Sequence, residues 1–292
     1  MRIFVTGATG FIGSAVVSEL ISEGHQVRGL VRSAGKAKDL VARGVLVVEG
    51  SVDDHALLTR SIEEVDAVIH TAFDHDFSKF ADNCQRDRRA VVAMGHALLG
   101  TQRPLVLASA IGVLPGGSRT HEATAPNPAH PRVASERAAA EVAALGVGVS
   151  VVRLAPSVHG PGDPHFLGTL VKIARETRLS AWVGQGRNRW AAVHRLDAAH
   201  LFCLAAVRNP SGLNFFHAVD DEGIALSQIA QAIASHVGVP ARSLPAAEAA
   251  QHFGWLARFV GEDIASSSAR TRAQLDWRPT HSSLLADLAP SY

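Results

Sequence analysis

The residues whose types and spacing are best suited to chemistry are three glycines near the start of the chain, Gly7, Gly10 and Gly13. They follow an apolar run at residues 3–5 and precede a stretch with helical apolar spacing, which predicts a strand, a tight turn and a helix. Gly7 permits the turn, Gly10 lets the backbone approach a pyrophosphate, and Gly13 lets the helix pack closely on the strand. The helix N-terminus would then bind phosphate through its unpaired N–H groups. The pattern predicts dinucleotide binding, the alternative being a glycine-rich turn without a ligand.

A basic cluster follows the second predicted strand and bears on which dinucleotide would bind. No acidic residue occurs between Glu23 and Asp39, whereas Arg32, Lys36 and Lys38 lie close together. Folds that select NAD generally place an acidic residue about 20 residues after the glycines, where it binds the ribose 2′-hydroxyl. A carboxylate would repel a 2′-phosphate, but a guanidinium binds it through two hydrogen bonds. We therefore expect NADP(H) to be preferred and NAD(H) to remain possible, the alternative being a solvated basic loop.

Composition argues against several classes of protein. Basic and acidic residues nearly cancel, at 28 against 27, so the charge predicts no nucleic-acid or membrane partner. No apolar run approaches the roughly 18 residues of a membrane span, and the first residues lack a signal-peptide layout. Cys84 and Cys203 are interpreted as reduced thiols, which favours a cytoplasmic location. The 15 histidines are scattered without metal-ligand spacing, so no metal site is expected.

Apolar, β-branched runs alternate with helical patterns through the first half of the chain. We predict strands at residues 2–6, 26–31, 45–49, 65–70, 104–109 and 148–154. We predict helices between them at residues 12–23, 54–61, 83–99 and 133–145. This alternation is typical of a doubly wound parallel sheet with right-handed crossovers, whose ligand lies at the carboxyl ends of the strands. Shorter elements follow residue 162, with helices predicted at 166–177, 197–208, 225–236 and 245–252 and strands at 181–183 and 213–218.

Six sequence motifs occur in an order that resembles one known family. They lie at residues 6–13, 49–53, 66–72, 105–110, 152–163 and 193–197. Together they resemble the extended and atypical short-chain dehydrogenase/reductases, in the epimerase/dehydratase branch, over nearly the whole chain. The resemblance implies an α/β fold, a Rossmann-type doubly wound parallel sheet with a smaller C-terminal substrate cap. We expect a dinucleotide-binding domain at residues 1–160 and a substrate-binding cap at residues 161–292, with segments of the cap returning to the main domain.

The resemblance also implies which residues would bind the cofactor. They lie in the glycine turn and after strands two, three, four and six, namely Gly7, Thr9, Gly10, Phe11, Ile12, Gly13, Arg32, Ser33, Lys36, Ser51, Val52, His70, Thr71, Ala72 and Pro156. Ser51 replaces the family's acid beside the adenine ring, so a weaker contact is expected there. His70 is equally well explained as a hydrogen-bonded histidine at a strand end, and Asp53 is expected to cap a helix.

The family's catalytic Tyr-x-x-x-Lys pair is missing from this chain. The only tyrosine is Tyr292, and no lysine occurs between residues 80 and 171. Alignment of the helix after strand five puts Arg132 at the tyrosine position and Glu136 at the lysine position. Arginine is a poor proton shuttle, but Arg132 could stabilise a developing alkoxide electrostatically. The alternative is that both residues head a solvated helix.

Two further residues are candidates for catalysis. Ser109 would match the family's hydrogen-bonding Ser/Thr and orient a substrate carbonyl, or else be a small strand-end residue. His159 takes the place of a structural tyrosine after strand six, and we expect a proton from water or from His159 if the protein turns over. A packing role for His159 is the alternative. Tyr292 is expected to be frayed and catalytically silent.

An arm that contacts the diphosphate of nucleotide sugars in epimerases suggests residues for the substrate. Arg187 and Arg189 bracket the family's phosphate-binding arginine, and Trp190 and His194 follow on the same arm. They hint at an anionic substrate, although a salt-bridged arginine explains the pattern equally well.

These features predict an NADP(H)-dependent oxidoreductase or epimerase-like enzyme that acts on a carbonyl or CH–OH group of a small-molecule substrate. A non-catalytic NADP(H)-binding sensor or scaffold is the alternative from another class. A nucleotide-sugar epimerase or dehydratase is the third candidate, and it needs the missing tyrosine even more. We expect a monomer or a homodimer.

Overall fold

The computed structural model describes the whole chain except Ala34, Lys36 and the side chain of Pro290. The strands are β1 Arg2–Thr6, β2 Gln26–Val31, β3 Leu46–Glu49, β4 Ala67–His70, β5 Leu105–Ala110, β6 Val149–Leu154, β7 Ser157–His159, β8 Ser180–Val183, β9 Arg189–His194, β10 Leu213–Ala218, β11 Asp221–Ala225 and β12 Ala241–Leu244. The helices are α1 Phe11–Ser22, α2 Lys38–Ala42, α3 His55–Ile62, α4 Phe80–Ala97, α5 Val133–Ala144, α6 Phe166–Thr177, α7 Arg195–Arg208, α8 Leu226–Val237, α9 Ala246–Phe253, α10 Ala269–Leu275 and α11 Leu284–Ser291. Within this described part of the chain, no helix has both the length and the apolar character that a bilayer crossing requires.

A seven-stranded parallel sheet forms the centre of the described structure, in the order β10-β6-β5-β4-β1-β2-β3. Helices α1 and α7 cover the face that carries Ile3 and Val5, and α3, α4 and α5 cover the face that carries Phe4. Burial on both faces explains why these strands are continuously apolar. The strand order reverses between β1 and β4, which opens a crevice above their carboxyl ends. The predicted Rossmann-type α/β fold is therefore confirmed.

The second half of the chain divides between this sheet and smaller elements. Strand β10 pairs with β6 in the central sheet, and α7 packs against α1. The remaining strands form the small sheets β11-β9-β7 and β12-β8, which pack with α6, α8 and α9 around a separate apolar cluster. A residue such as Trp190, fully buried in β9, belongs to this cluster. The region over the carboxyl ends of the central strands is thus bounded by both halves of the chain.

Polar side chains fasten the last residues of the described structure. Asp197 accepts hydrogen bonds from the backbone N–H groups of Thr280 and His281 and lies 2.8 Å from the His281 ring. The Tyr292 hydroxyl donates to the Asp163 carboxylate at 2.7 Å. The expectation of a frayed Tyr292 is therefore wrong. Burial and the adjacent Asp163 carboxylate raise the pKa of the Tyr292 phenol, so it is not a proton source at neutral pH.

Candidate active site

The glycine turn between β1 and α1 has the geometry of a phosphate cradle. Gly7 has a φ of 71°, which favours glycine, and its carbonyl accepts the Gly10 N–H at 2.8 Å. A Cβ on Gly13 would lie 2.0 Å from the Gly7 carbonyl oxygen, so only glycine allows this packing. No described side chain caps the N-terminus of α1, which leaves the N–H groups of Phe11, Ile12 and Gly13 available to an anion. These residues fit the pyrophosphate of a dinucleotide.

The residues after β2 extend this cradle on one side. Arg32 and Ser33 follow the last residue of β2 directly, and both are exposed. Thr9 is exposed within the glycine turn itself. Lys36 lies outside the described residues. The position of Arg32 at the carboxyl end of β2 is where a ribose substituent is recognised in this type of fold.

The residues after β3 form a surface turn that has its own hydrogen bonds. The Ser51 hydroxyl donates to the Asp53 carboxylate at 3.1 Å, and Asp53 forms an ion pair with Arg86 at 2.6 Å. Val52 is half-buried against the apolar cluster beneath the sheet. Helix α3 is capped by Asp54, which accepts a backbone N–H of the first turn, so the cap lies one residue later than predicted. Ser51 thus has a partner within the protein before any ligand is considered.

The residues after β4 join that strand to β1. The Thr71 hydroxyl donates to the Thr6 carbonyl at 2.8 Å, and Ala72 lies directly against the glycine turn. The His70 ring is only 1% exposed, with Nδ1 2.6 Å from the Thr6 hydroxyl and Nε2 3.0 Å from Asp87. His70 is therefore a hydrogen-bonded interior residue. Both ring nitrogens are occupied, so the side chain is not available to a cofactor, and a contact between the cofactor and the backbone of this segment stays a prediction.

A cavity of about 950 Å³ opens over the carboxyl ends of the central strands. Of the predicted site residues it brings together Ile12, Thr71, Ser109, Arg132 and Pro156. Its position is the one expected for a ligand in a doubly wound sheet, and its volume is ample for a small molecule. The cavity is therefore the candidate active site.

Arg132 stands at the head of α5 and presents its guanidinium to the cavity. Nη1 donates to the Asp87 carboxylate at 2.5 Å and to the Ser135 hydroxyl, and Nη2 donates to the Ala108 carbonyl at 2.9 Å. The same guanidinium packs over the Phe73 ring at 4.0 Å. Two of its five N–H groups have no hydrogen-bond partner among the described residues. Arg132 is therefore a fixed cation with donors to spare, and it does not head a solvated helix.

Asp87 on α4 is the anion that holds Arg132 in place. It is 4% exposed and contacts Arg132, Ser135 and His70 together. Burial alone would raise the pKa of the Asp87 carboxyl, but the Arg132 cation and the His70 hydrogen bond outweigh it and lower the pKa. Asp87 therefore stays ionised, and the sequence offered no signal for it because its partners are distant in the chain.

Glu136 forms a second buried ion pair, with Arg153, and Ser109 donates a hydrogen bond to it. The Glu136 carboxylate accepts two hydrogen bonds from Arg153, at 2.9 Å and 2.8 Å, and a third from the Ser109 hydroxyl at 2.7 Å. Ser109 borders the cavity, but its hydroxyl hydrogen is committed to a carboxylate. The expectation that Ser109 donates to a substrate carbonyl is corrected accordingly. Glu136 is a structural anion here, buried with its counter-ion.

His159 does not face the cavity. Its ring is fully buried, and Nδ1 lies 2.9 Å from the Asp287 carboxylate on α11. Nε2 has no hydrogen-bond partner in the described residues, and the centroids of the His159 and His194 rings are 5.5 Å apart. The proposed proton-donating role of His159 is therefore corrected to a packing role that joins β7 to α11.

The predicted substrate arm also turns away from the cavity. Arg189 forms an ion pair with Asp263, with its Nη2 2.7 Å from the carboxylate, and Arg187 is exposed and does not border the cavity. Trp190 is fully buried, and the His194 side chain caps α7. The salt-bridged alternative for Arg189 fits these contacts, and the anionic-substrate interpretation of the four residues is corrected.

Three potential metal ligands meet outside the cavity, at His194, Asp197 and His281. The two imidazole rings are stacked at 4.7 Å, and the Asp197 carboxylate already accepts two backbone N–H groups. These contacts account for the cluster as a structural joint between α7 and the C-terminal segment. That the protein holds no metal stays a prediction.

Three histidines border the cavity, His75, His130 and His165, and none of them is among the catalytic residues predicted from the sequence. His130 is two residues before Arg132 and accepts the Arg132 backbone N–H on Nδ1 at 3.2 Å. Burial, and then the Arg132 cation, lower the pKa of His130, with Glu136 opposing them. The ring is therefore neutral at neutral pH, and a neutral ring that accepts on Nδ1 carries its hydrogen on Nε2. Proximity to Arg132 in the sequence was the one available signal for His130.

Comparison with known proteins decides the family. A family model described as NAD(P)H-binding matches residues 7–165, more than half of the chain. The chain belongs to the NAD(P)H-binding short-chain dehydrogenase/reductase family. The resemblance stated from the sequence motifs is thereby confirmed.

Proteins that are similar to this chain include one without a stated function and others with named activities. An uncharacterized protein of Schizosaccharomyces pombe is 43% identical, covering 99% of this chain and 98% of its own length. A relative from Stigmatella aurantiaca is 27% identical over 87% of this chain and 80% of its own length, and it is named 4-hydroxy-2-methyl-3-oxo-4-farnesyl-3,4-dihydroquinoline-1-oxide ketoreductase. The solved Thermus thermophilus UDP-glucose 4-epimerase in complex with NAD has a TM-score of 0.77 and 21% identity, covering 100% of this chain and 97% of its own. At that identity the epimerase likeness supports the fold alone.

Proposed function

We propose that the protein is an NAD(P)H-dependent reductase of small carbonyl compounds, with NADPH preferred, in which Arg132 takes the place of the family's tyrosine. The observation that carries this proposal is the Arg132 guanidinium, which borders the cavity, is held by Asp87 and has unpaired N–H groups among the described residues. A relative named as a ketoreductase supports the same direction of reaction.

The glycine turn would hold the cofactor. The N–H groups at the start of α1 would bind the pyrophosphate, and Arg32 would pair with a 2′-phosphate. When bound, NAD(P)H supplies a hydride that adds to the carbonyl carbon, and the carbonyl oxygen takes up one proton, so that the products are an alcohol and NAD(P)⁺.

The protein's own part in the reaction is to stabilise negative charge on the carbonyl oxygen. The Arg132 guanidinium provides a permanent positive charge, and because the residue is only 6% exposed its donors can have large effects. The Nε2–H of neutral His130 adds a second donor beside it. Neither group releases its proton readily, so the alkoxide is protonated by water.

The experiment that tests this function measures NADPH consumption by the purified protein with a panel of neutral aldehydes and ketones. The proposal expects turnover with formation of one alcohol for each NADPH consumed. Tight NADPH binding by calorimetry without turnover on any carbonyl in the panel would instead support the sensor or scaffold. A nucleotide-sugar epimerase is not proposed, because Arg189 is occupied by Asp263 and no described tyrosine borders the cavity.

A further inference from the structure

Aromatic side chains form one wall of the cavity. Five of the eleven phenylalanines of the chain border it, together with one tryptophan. These residues, called the aromatic wall below, are Phe73, Phe77, Phe80, Phe166, Trp255 and Phe259. Apolar ring faces at this density are a feature of the cavity that the proposed hydride chemistry does not itself require.

The aromatic wall is continuous across the two halves of the chain. The ring centroid of Phe77, which follows β4, lies 5.2 Å from that of Trp255, with an angle of 20° between the ring planes. It lies 5.6 Å from the ring centroid of Phe259. Phe166 lies 5.1 Å from Phe259. The Arg258 guanidinium covers the Phe77 and Phe259 rings at 4.7 Å and 4.6 Å. The wall is therefore held together by its own ring–ring and cation–π contacts, and a planar ring in the cavity could pack against it by offset or edge-on contacts.

The wall reaches the catalytic end of the cavity. The Phe73 ring lies under the Arg132 guanidinium at 4.0 Å, and Phe80 is 6.1 Å from Phe73 and 6.0 Å from the His130 ring. A flat ring on this surface would therefore extend toward the two donors that are proposed to polarise a carbonyl. This favours a carbonyl that is attached directly to the ring.

The charges that border the cavity oppose an anionic substrate. Arg132 is the one arginine or lysine among the described residues that line it, against the carboxylates of Asp76, Glu262 and Asp263. Asp263 also pairs with Arg189 through two hydrogen bonds, at 3.0 Å and 2.7 Å, which removes that arginine from phosphate binding. The charges of Arg132 and Asp263 are each balanced by an ion-pair partner. A diphosphate entering the cavity would thus meet the carboxylates of Asp76 and Glu262 and no unpaired guanidinium among the described lining residues.

We infer that the cavity selects a neutral carbonyl compound conjugated to a planar aromatic ring, and that it rejects nucleoside diphosphates. The inference rests on the proposed reductase function and names its substrate class. The ring lies on the aromatic wall, and the carbonyl oxygen meets Arg132 and His130.

The test compares three aldehydes that differ in one property each, namely benzaldehyde, the saturated cyclohexanecarbaldehyde and the anionic 4-carboxybenzaldehyde. With NADPH, the expected kcat/KM for benzaldehyde is about tenfold above that for each of the others, about 1.4 kcal/mol. Phe77→Leu and Trp255→Leu reduce the aromatic preference severalfold. Trp182→Leu, a half-buried tryptophan outside the cavity, is the matched control and leaves the preference unchanged. Asp263→Asn selectively raises kcat/KM for 4-carboxybenzaldehyde, since it removes one carboxylate and releases Arg189.

Equilibrium binding separates this inference from the reductase proposal. Calorimetry on the NADPH-loaded protein compares benzamide with cyclohexanecarboxamide, neither of which needs to react, and benzamide is expected to bind about tenfold more tightly. Equal binding of the two amides, with no effect of Phe77→Leu, would overturn the substrate class even if aldehydes are reduced. Preferential binding of benzamide with no reduction of any carbonyl would retain the substrate class and overturn the reductase.

Discussion

At the scale of single residues, the site replaces one catalytic pair by two separate buried ion pairs. Arg132 and Glu136 are the residues that the sequence predicts at the positions of the family's tyrosine and lysine, and in the structure Arg132 pairs with Asp87 and Glu136 pairs with Arg153. The sequence predicted the missing phenol and lysine, and it predicted a possible electrostatic role for Arg132. It could not predict the two partners, because they lie 45 and 17 residues away and no local pattern marks them.

The role proposed for Arg132 predicts a specific kinetic loss. Arg132→Lys keeps a cation beside Asp87 but loses the planar set of donors, so kcat/KM for carbonyl reduction should fall about a hundredfold, or about 2.7 kcal/mol. NADPH affinity should stay within about twofold, or about 0.4 kcal/mol, because the glycine turn and Arg32, which are proposed to bind the cofactor, are unchanged. His159→Gln, a buried residue outside the cavity, is the control and should keep kcat/KM while lowering the melting temperature. Wild-type kcat/KM in Arg132→Lys would assign the polarising role to another group.

Arg32 predicts the choice between cofactors. Because Arg32 follows β2 and no acidic residue occurs between Glu23 and Asp39, NADPH should bind about tenfold more tightly than NADH, or about 1.4 kcal/mol. Arg32→Ala should remove this difference in affinity. Arg43, an exposed arginine at the C-terminal end of α2, is the control, and Arg43→Ala should leave the difference unchanged. Fluorescence titration with both cofactors measures it, and equal affinities in the wild type would refute the assignment.

At the scale of elements, the sequence predicted the alternating strands and helices of the central sheet and missed seven other elements. The central strands and their helices follow from continuous apolar runs and helical spacing, and most of their predicted bounds lie within one to three residues of the structure. Four strands and three helices were missed, namely β7, β9, β11, β12, α2, α10 and α11. Length does not explain every one of them, since β9 is as long as β2, and packing against the rest of the fold overrides their local propensity. The glycine turn was predictable because φ at Gly7 and close packing at Gly13 restrict these two positions to glycine.

The turn before α1 can be tested by adding one side chain. Gly10 has φ −76° and ψ 169°, which valine adopts readily, and its Cβ would meet only the Gly7 carbonyl oxygen at 3.2 Å. Gly10→Val should therefore fold with a loss of about 1–2 kcal/mol, yet bind NADPH at least about a hundredfold more weakly, because the branch fills the phosphate cradle. Gly261→Val, which adds the same group in open space, is the control. Calorimetry and thermal melting measure both, and retained NADPH affinity would move the cofactor elsewhere.

At the scale of the whole molecule, the cavity depends on contacts between segments distant in the chain. The aromatic wall contains residues from both halves of the chain, and His165 comes from the second half. A buried polar network centred on Arg153 links β6 and α5 to β10 through Glu136 and His217. The sequence motifs predicted residues for the cofactor side of the site, because those residues follow directly on predicted strands. They could not place the substrate side, since it arises only when the C-terminal half folds over the sheet.

The buried His217 predicts how stability depends on pH. Burial is the main reason that the pKa of His217 is lowered from 6.5 to about 4, with Arg153 adding to the decrease and Glu122 opposing it. The unfolded chain then binds more protons than the folded chain between these values, so stability is lost as pH falls from 6.5 toward 4, by about 3 kcal/mol from this residue. Urea denaturation at several pH values measures it. His217→Asn should flatten this part of the profile, and an unchanged slope in the variant would contradict the assignment.

The central claim is that this protein transfers hydride from NADPH to a carbonyl carbon, and isotope transfer tests it most directly. Wild-type protein is incubated with benzaldehyde and NADPH deuterated at C4, in separate reactions for each of the two C4 positions, and the benzyl alcohol is analysed by mass spectrometry. The account predicts one deuterium at the carbinol carbon for each NADPH consumed, from one of the two labelled cofactors, and a strongly reduced yield with Arg132→Lys. Bound NADPH that remains unoxidised, or alcohol that carries no deuterium with either label, would contradict it.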